Sequence, residues 1–163
     1  DIVYSCNVTV PPDLSRLARG LASDCFEATP RDRHSLLVKR LGDGRPSALA
    51  RQVREALAGV GPFEARLSTI ELFRDPPVGP GPVAYLRVDS PRLLEIHRAL
   101  CELFDPVEGL EGEGYVPHVT IARGGDAGRL ADRTVGSRTW TIDSLSVWSP
   151  KYDEAVERIA LPA

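Results

Sequence analysis

The sequence contains two matched segments, and each of them begins with histidine. The first runs from His34 to Lys39 and the second from His118 to Arg123. In each segment a mostly apolar run follows the histidine, and a cation lies five residues after it. The chain has 163 residues and three histidines, and the two that head these segments lie 84 positions apart, about half of its length. This spacing indicates a duplicated plan with two equivalent strands, and it excludes a short-period repeat.

Both halves show the same order of elements, which is strand, helix, histidine strand, helix, strand. Alternating apolar residues predict strands at 2–10, 34–41, 63–73, 83–88, 116–123, 139–148 and 152–161. Apolar residues at helical spacing predict helices at 13–25, 47–58, 90–104 and 126–134. A stiff, turn-rich connector at 75–82 lies between the halves. We therefore predict an α+β protein in which residues 1–163 form a single domain. Its two pseudo-symmetric lobes break near 75–82, and antiparallel sheets flank a central cleft.

The composition is that of an ordinary globular protein, with 42% hydrophobic and 26% charged residues. No apolar run approaches the ~20 residues that a membrane helix needs, so we expect no membrane partner. The net charge of −3 argues against a broad surface for duplex nucleic acid. The beginning of the sequence lacks the pattern of a secretory signal, and three scattered cysteines fit neither a disulfide framework nor a zinc site. We expect a cytoplasmic monomer whose cysteines are reduced.

The two histidine segments predict acid–base chemistry on a phosphate. On a strand, residues i and i+2 share a face, so His118 and Thr120 face one way while Val119 and Ile121 face a core. If the halves pack about a pseudo-twofold axis, the two imidazoles flank one cleft. One ring can then take a proton while the other donates one, because the unperturbed pKa of histidine, about 6.5, lies near neutrality.

The segment from Pro117 to Arg123 closely resembles the second motif of the 2H phosphoesterases, a family that includes the RNA 2′,3′-cyclic phosphodiesterases, also called 2′-5′ RNA ligases. The family carries two His-x-Thr/Ser-x motifs, in which x is hydrophobic, at a similar separation, and nearly the whole chain follows its order of elements. The resemblance implies hydrolysis of a terminal 2′,3′-cyclic phosphate on RNA or a nucleotide to a 2′-phosphate, without metal or cofactor. The reverse step would join 2′-5′ ends. It implies catalysis by His118, assigned to water activation, and by His34, assigned to protonation of the leaving 3′ oxygen.

The first motif departs from the family pattern. Leu36 stands where the family has Thr or Ser, and the hydroxyl is on Ser35, one residue too early. A bulge could turn Ser35 toward the phosphate, and it would also match Arg40, followed by Gly42-Asp43, to Arg123, followed by Gly125-Asp126. Alternatively, this half has lost the hydroxyl, and cations or backbone amides hold the phosphate instead. The sequence leaves both possibilities open.

The remaining candidate site residues surround the two motifs. Lys39, Arg40 and Arg123 are candidates for neutralising the phosphoryl group, together with Thr120 and Ser35. Tyr115, directly before the second motif, is a candidate for stacking on a base. His97 lies within an amphipathic helix and is predicted to be structural. The acidic segment 108–114 is predicted to be a flexible loop or a lid that screens long polyanions.

Other functions stay open beside this prediction. The chain contains no Walker-type loop, no Gly-x-Ser-x-Gly elbow and no residue cluster with metal-ligand spacing, so we expect neither metal nor cofactor. The expected partners are RNA 3′ ends or small cyclic nucleotides. One alternative is a non-catalytic module that binds RNA ends or nucleotides. Another is a 2H enzyme for a different phosphodiester, such as a 2′-5′ oligonucleotide, a 3′ RNA tail or an ADP-ribose cyclic phosphate.

Overall fold

A computed structural model describes residues 2–163 as strands and short helices in mixed order. The strands are β1 (Tyr4–Thr9), β2 (Thr29–Pro30), β3 (Ser35–Gly42), β4 (Phe63–Phe73), β5 (Val83–Asp89), β6 (His118–Arg123), β7 (Arg138–Ile142), β8 (Ser144–Ser149) and β9 (Glu154–Ala160). The α-helices are α1 (Pro12–Ala22), α2 (Pro46–Ala56) and α3 (Pro91–Cys101). Two further segments, Gly112–Gly114 and Ala127–Asp132, are 3-10 helices.

The strands form two antiparallel sheets, which confirms the predicted fold class. The four-stranded sheet has the order β3-β1-β8-β9, and the five-stranded sheet has the order β2-β6-β5-β4-β7. The connector at 75–82 joins β4 to β5, which are neighbours in the five-stranded sheet. The predicted break between lobes at 75–82 is therefore wrong, because each sheet takes strands from both halves of the sequence. The two strands that carry the motifs, β3 and β6, contact each other.

The segment predicted as one strand at 139–148 is two strands in different sheets. Trp140 and Ile142 are the buried residues of β7, whereas those of β8 are Leu145, Val147 and Ser149. The buried positions therefore shift from even to odd numbers at Asp143, and a single strand cannot keep both sets on one face. The chain crosses from one sheet to the other at this point.

One face of each sheet packs on a hydrophobic core, and we call the opposite face its polar face. The core is a single cluster to which both sheets and all three helices contribute. Helix α1 contacts β6, α3 contacts β3, and α2 contacts β8 and β9. Proline occupies the first turn of each of these helices, where its fixed φ and missing N–H cost nothing. In the part of the chain that the structure covers, no helix is both long and apolar enough to span a bilayer.

Strand β3 contains a bulge. In the neighbouring strand β1, Cys6 pairs with Lys39 and the next residue, Asn7, pairs with Leu37. Val38 is therefore an extra residue in β3. Val38 and Lys39 are consequently both buried, and the alternation restarts one residue later. Ser35 and Leu37 before the bulge, and Arg40 after it, all lie on the polar face of the four-stranded sheet.

Strand β6 contains the same irregularity. In the neighbouring strand β5, Ala84 pairs with Ala122 and the next residue, Tyr85, pairs with Thr120. Ile121 is therefore the extra residue in β6. The sequence of buried and partly buried positions along β6 is identical to that over the first six residues of β3. His118 and Thr120 before the bulge, and Arg123 after it, share the polar face of the five-stranded sheet.

Candidate active site

A cleft borders the polar face of the four-stranded sheet. It has a volume of about 350 Å³, and its walls combine three arginines with small polar side chains and one indole. The residues that line it are Val3, Ser5, Asn7, Arg31, Arg33, Ser35, Leu37, Arg40, Trp148 and Asp153. Because guanidinium groups pair well with phosphate oxygens, this lining suits an anionic ligand.

The ring of His118 is held in one orientation by its own backbone. Its Nδ1 donates to the carbonyl oxygen of Val116 at 2.6 Å, which fixes the neutral tautomer with a bare Nε2. Burial lowers the pKa of His118 below its ordinary value; the hydrogen bond to Val116 acts against this, and the guanidinium groups of Arg31 and Arg40 lower the pKa further. These two arginines line the cleft, so the imidazole lies within electrostatic reach of it. A neutral imidazole with a free Nε2 is suited to accept a proton at neutral pH.

Aromatic side chains support the His118 ring on the polar face of the five-stranded sheet. The rings of Phe73 and Tyr85 stack on each other at 4.1 Å, and each meets the imidazole edge-on at 5.2 Å. The Tyr85 hydroxyl donates to Glu71, and burial raises the pKa of Tyr85 to about 12. Tyr85 therefore stays neutral, and its ring restricts how far the imidazole can turn.

Thr120 and Arg123 share the polar face with His118, as predicted for Thr120 from strand alternation. The guanidinium of Arg123 donates from Nη1 to the carbonyl oxygen of Val78 at 3.1 Å, which ties it to the 75–82 connector. Its Nε is buried and has no hydrogen-bond partner within residues 2–163. Gly79 lies beside this guanidinium with φ +78, a conformation that favours glycine. Arg123 is thus positioned by the connector while one of its donors stays unused.

The two bulges show which residues of β3 correspond to the second motif. Counting back three residues from the extra residue leads to Ser35 in β3 and to His118 in β6. One residue before it, Leu37 corresponds to Thr120, and two residues after it, Arg40 corresponds to Arg123. The predicted match of the two arginines is therefore correct, and it places serine where the second half has histidine.

His34 is not among the residues that line the cleft, which corrects the prediction that both histidines head their strands and flank one cleft. Strand β3 begins at Ser35, and because neighbouring residues of an extended chain point to opposite sides, His34 turns away from the side that Ser35 faces. It borders a second depression beside α1, which Ser15 and Arg19 also line and which shares Arg33 and Asp153 with the cleft. Its two ring nitrogens are buried and lack hydrogen-bond partners in the described chain. Burial lowers the pKa of His34, and Arg19 and Arg31 add to this effect.

Lys39 does not face the cleft either, and its assignment to phosphate binding is therefore wrong. The bulge turns it into the core, where its side chain is fully buried. The ammonium donates to a Glu111 oxygen at 2.7 Å and to the carbonyl oxygens of Arg40 and Asp105 at 2.8 and 3.2 Å. All three of its hydrogens are used, so none is left for a ligand.

Tyr115 is likewise buried and does not offer a surface for a base, which corrects its prediction. Its ring stacks on His97 at 3.9 Å, and its hydroxyl donates to the carbonyl oxygen of Leu37 at 2.8 Å. His97, predicted to be structural, donates from Nδ1 to the carbonyl oxygen of Val38 at 2.7 Å and accepts at Nε2 from the N–H of Gly112. Both aromatic side chains therefore hold the backbone of β3 at its bulge.

Glu111 completes this support, so the segment 108–114 is not simply a flexible loop or a lid. Its carboxylate accepts from the backbone N–H of Arg40 and of Val107, each at 2.9 Å, in addition to the Lys39 ammonium. Burial acts to raise the pKa of Glu111, but these hydrogen bonds outweigh it and hold the pKa below its ordinary value. The second oxygen lies 3.5 Å from the guanidinium of Arg40, which places that side chain at the cleft wall.

Several residues that line the cleft were not predicted from the sequence. Asn7 lies between Cys6 and Val8 on β1, so strand alternation places it on the face opposite to these two apolar residues, but the alternation does not indicate a ligand. Arg31 and Arg33 lie in the irregular segment before β3, where no periodicity shows the direction of a side chain. Among residues 2–163, no group of three or more histidine, cysteine, aspartate or glutamate side chains is placed to hold a metal ion.

Comparisons with known proteins agree with this architecture. The crystal structure of TT0787 from Thermus thermophilus has a TM-score of 0.68 at 17% identity, covering 98% of this chain and 97% of that one. E. coli LigT complexed with 3′-AMP has a TM-score of 0.64 at 13% identity, covering 99% of both chains, and its complex with NADP⁺ has a TM-score of 0.65 at 15% identity, covering 99% and 98%. These likenesses show the fold. No curated protein matches the sequence. The family model of the 2′-5′ RNA ligase superfamily matches residues 27–154, and since this is most of the chain, the protein belongs to that superfamily.

Proposed function

We propose that the protein is a metal-free phosphodiesterase that opens a 2′,3′-cyclic phosphate on an RNA end or a nucleotide. His118 takes the proton of the attacking water at Nε2. Arg40, Arg123, Thr120 and Ser35 bind the phosphoryl oxygens. The product is a 2′-phosphate, and the reverse step would be a 2′-5′ ligation.

The observation that carries this proposal is the single orientation of the His118 imidazole. A backbone carbonyl holds Nδ1–H, and the pKa lies below its ordinary value. The ring is therefore neutral at pH 7 and presents a free Nε2, which is the state a general base requires. Arg31 and Arg40 next to it provide the positive charge that a developing phosphoryl dianion needs. The names of the LigT complexes, which include 3′-AMP and NADP⁺, support a nucleotide ligand.

The test is hydrolysis of 2′,3′-cyclic CMP in EDTA, followed by ³¹P NMR. We expect ring opening by the wild type, at a rate that dialysis against EDTA does not change. Replacing His118 by Ala should lower turnover by ~10²–10⁴, the range expected for loss of a general base. His34→Ala is the matched control, since it removes an imidazole next to the cleft but outside it. Turnover that needs added Mg²⁺ or Zn²⁺, or a His118→Ala variant with full activity, would contradict the proposal.

A second candidate is a non-catalytic module that binds RNA ends or nucleotides in the same cleft. The correspondence of Ser35 to His118 in the two bulged strands favours it, because β3 then offers the cleft a hydroxyl at the position where β6 carries an imidazole. The same assay separates the two, since a binding module would retain 2′,3′-cyclic CMP in an equilibrium titration and leave the ring closed. In either case we propose that the chain acts as a cytoplasmic monomer.

A further inference from the structure

We propose that proton transfer in this cleft depends on one imidazole, that of His118, and that the β3 side only binds phosphoryl oxygens, through Ser35 and its neighbours. The proposal rests on the proposed function. It assigns Ser35 as a phosphate-binding residue and leaves His34 without a role in the reaction.

The first support is the register of the two bulges. The position that corresponds to His118 is Ser35, and the position that corresponds to Thr120 is Leu37. A hydroxyl and an isobutyl group therefore stand where β6 presents an imidazole and a hydroxyl. A shift of one residue would place His34 at this position, but three contacts oppose the shift. These are the hydrogen bonds from His97 to Val38, from Tyr115 to Leu37 and from Arg40 to Glu111.

The second support is the local environment of Ser35. Its Oγ accepts a long hydrogen bond of 3.5 Å from Nδ2 of Asn7, which leaves the hydroxyl hydrogen available to a ligand. Asn7 is only 7% exposed, and its Oδ1 is buried without a partner in the described part of the chain. A buried acceptor without a partner is costly, so it favours a ligand that brings a donor. A sugar phosphate offers both features, because its phosphoryl oxygens accept and its hydroxyl groups donate.

The third support is the distribution of charge around Ser35. Arg31, Arg33 and Arg40 line the same cleft, and Asp153 is the one carboxylate among its lining residues. Asp153 pairs with Arg33 at 2.8 Å, so Arg31 is the guanidinium of the three without a carboxylate partner in residues 2–163. A phosphate bound at Ser35 would therefore meet more positive than negative charge. These groups bind and orient a phosphate, but an arginine cannot donate its proton at neutral pH.

One imidazole has a definite chemical consequence. Water attacks phosphorus, its proton passes to Nε2 of His118, and the bond between phosphorus and the leaving oxygen breaks. The electron pair stays on that oxygen, which takes its proton from bulk water because β3 carries Ser35 at the position of the second imidazole and His34 borders the depression beside α1. Such a site works best on an ester whose cleavage needs little acid assistance, and a strained five-membered cyclic phosphate is one. The rate should depend on a single ionisation, that of His118.

The experiment restores the missing imidazole in the double variant Ser35→His/Leu37→Thr, which copies the side chains of β6 onto the corresponding positions of β3. The wild type, this variant, Ser35→Ala and His34→Ala are compared with 2′,3′-cyclic CMP between pH 5 and 9, after circular dichroism has shown that each is folded. The wild-type kcat/KM should rise through one ionisation and then level off. The double variant should become at least ~10-fold faster at its optimum and show a bell-shaped profile, because a general acid typically contributes ~10²–10⁴. Ser35→Ala should raise KM more than it lowers kcat, and His34→Ala should stay within about twofold of the wild type, since it removes no acid or base from the cleft.

Each other outcome is decisive. A bell-shaped wild-type profile that His34→Ala converts to a single ionisation would overturn the inference while leaving the phosphodiesterase proposal intact. If the wild type binds 2′,3′-cyclic CMP without opening it and the double variant opens it, the proposed activity and proton transfer by His118 alone both fail, and only the assignment of Ser35 to the position of a missing imidazole holds. A folded double variant that is no faster than the wild type and keeps one ionisation would also overturn the inference. If neither protein binds the probe, both proposals fail.

Discussion

Replacing Lys39 by Met should destabilise the protein strongly and leave ligand binding by the folded fraction unchanged. The side chain is fully buried, and its ammonium is bonded to Glu111, Arg40 and Asp105. Methionine fills much of the same volume, so the variant mainly removes the charge and its hydrogen bonds. The change therefore separates a structural lysine from a phosphate ligand.

The magnitude follows from what the substitution leaves behind. The side chain of Glu111 is only 1% exposed, so Lys39→Met leaves an anion buried without its main counter-charge. Breaking a buried ion pair in this way typically costs about 3–5 kcal/mol. The carboxylate keeps two backbone N–H donors at 2.9 Å, from Arg40 and Val107, so we expect the lower end, about 3 kcal/mol. Adding Glu111→Gln should cost less than the sum of the single changes, with a coupling of roughly 1–3 kcal/mol.

The assay is urea unfolding of the four proteins of this double-mutant cycle. The stabilising effect of Glu111 should be present above its unfolded pKa, about 4.3, and be lost as the pH falls through the lower folded pKa. Wild type and Lys39→Met should therefore differ less in stability at pH 3 than at pH 7. A cost below about 1 kcal/mol at pH 7, with additive single changes, would refute the reasoning. So would a loss of 2′,3′-cyclic CMP binding in a Lys39→Met protein that is still folded.

Three further predictions concern the cleft and the cysteines. Thr120→Ala should lower kcat/KM by roughly tenfold to a hundredfold, since a hydrogen bond to a charged phosphate is worth about 1.5–3 kcal/mol, and a change below twofold would remove Thr120 from the site. Because burial lowers the pKa of His118, kcat/KM should stay flat above pH 7 and fall only below about 6.5; a fall that begins above pH 7 would contradict this assignment. Cys6 is buried, which raises its pKa to about 12, whereas Cys25 and Cys101 are partly exposed, so in native protein at pH 8 a thiol reagent should modify these two first, as mass spectrometry can show.

Most strands and helices could be predicted because their patterns are local. The bounds of β4, Phe63–Phe73, match the prediction, because Ala65 and Leu67 are buried at every second position; the phase then shifts at Ile70, where the pairing with β5 is irregular. The pairing of strands was less accessible. Whether β5 pairs with β4 or begins a new lobe depends on contacts between residues that are distant in sequence. The turn-rich connector at 75–82 suggested a new lobe, but β4 and β5 pair with each other.

The site was harder to predict than the fold because it depends on a register of one residue. Leu36, Leu37 and Val38 are all apolar, so alternation carries no phase across them and cannot reveal the bulge. Because the apolar run does not show which residues face the cleft, the sequence suggested that His34, next to Ser35, is the first residue of the strand and faces the cleft. Lys39 was misassigned for a related reason. Lysine is rarely buried without a partner, and its partner, Glu111, lies 72 residues away in the sequence.

The central position of β1 in its sheet has a consequence for synthesis on the ribosome. β1 lies between β3, which follows soon after it, and β8, which is translated near the end of the described chain. The nascent chain can therefore form the β1–β3 pair early, but one edge of β1 stays open until residues 144–149 have left the exit tunnel. An open edge with apolar residues is a template for wrong pairing. We expect the half-built four-stranded sheet to be the species that chaperones protect, and the cleft to form only when β8 inserts.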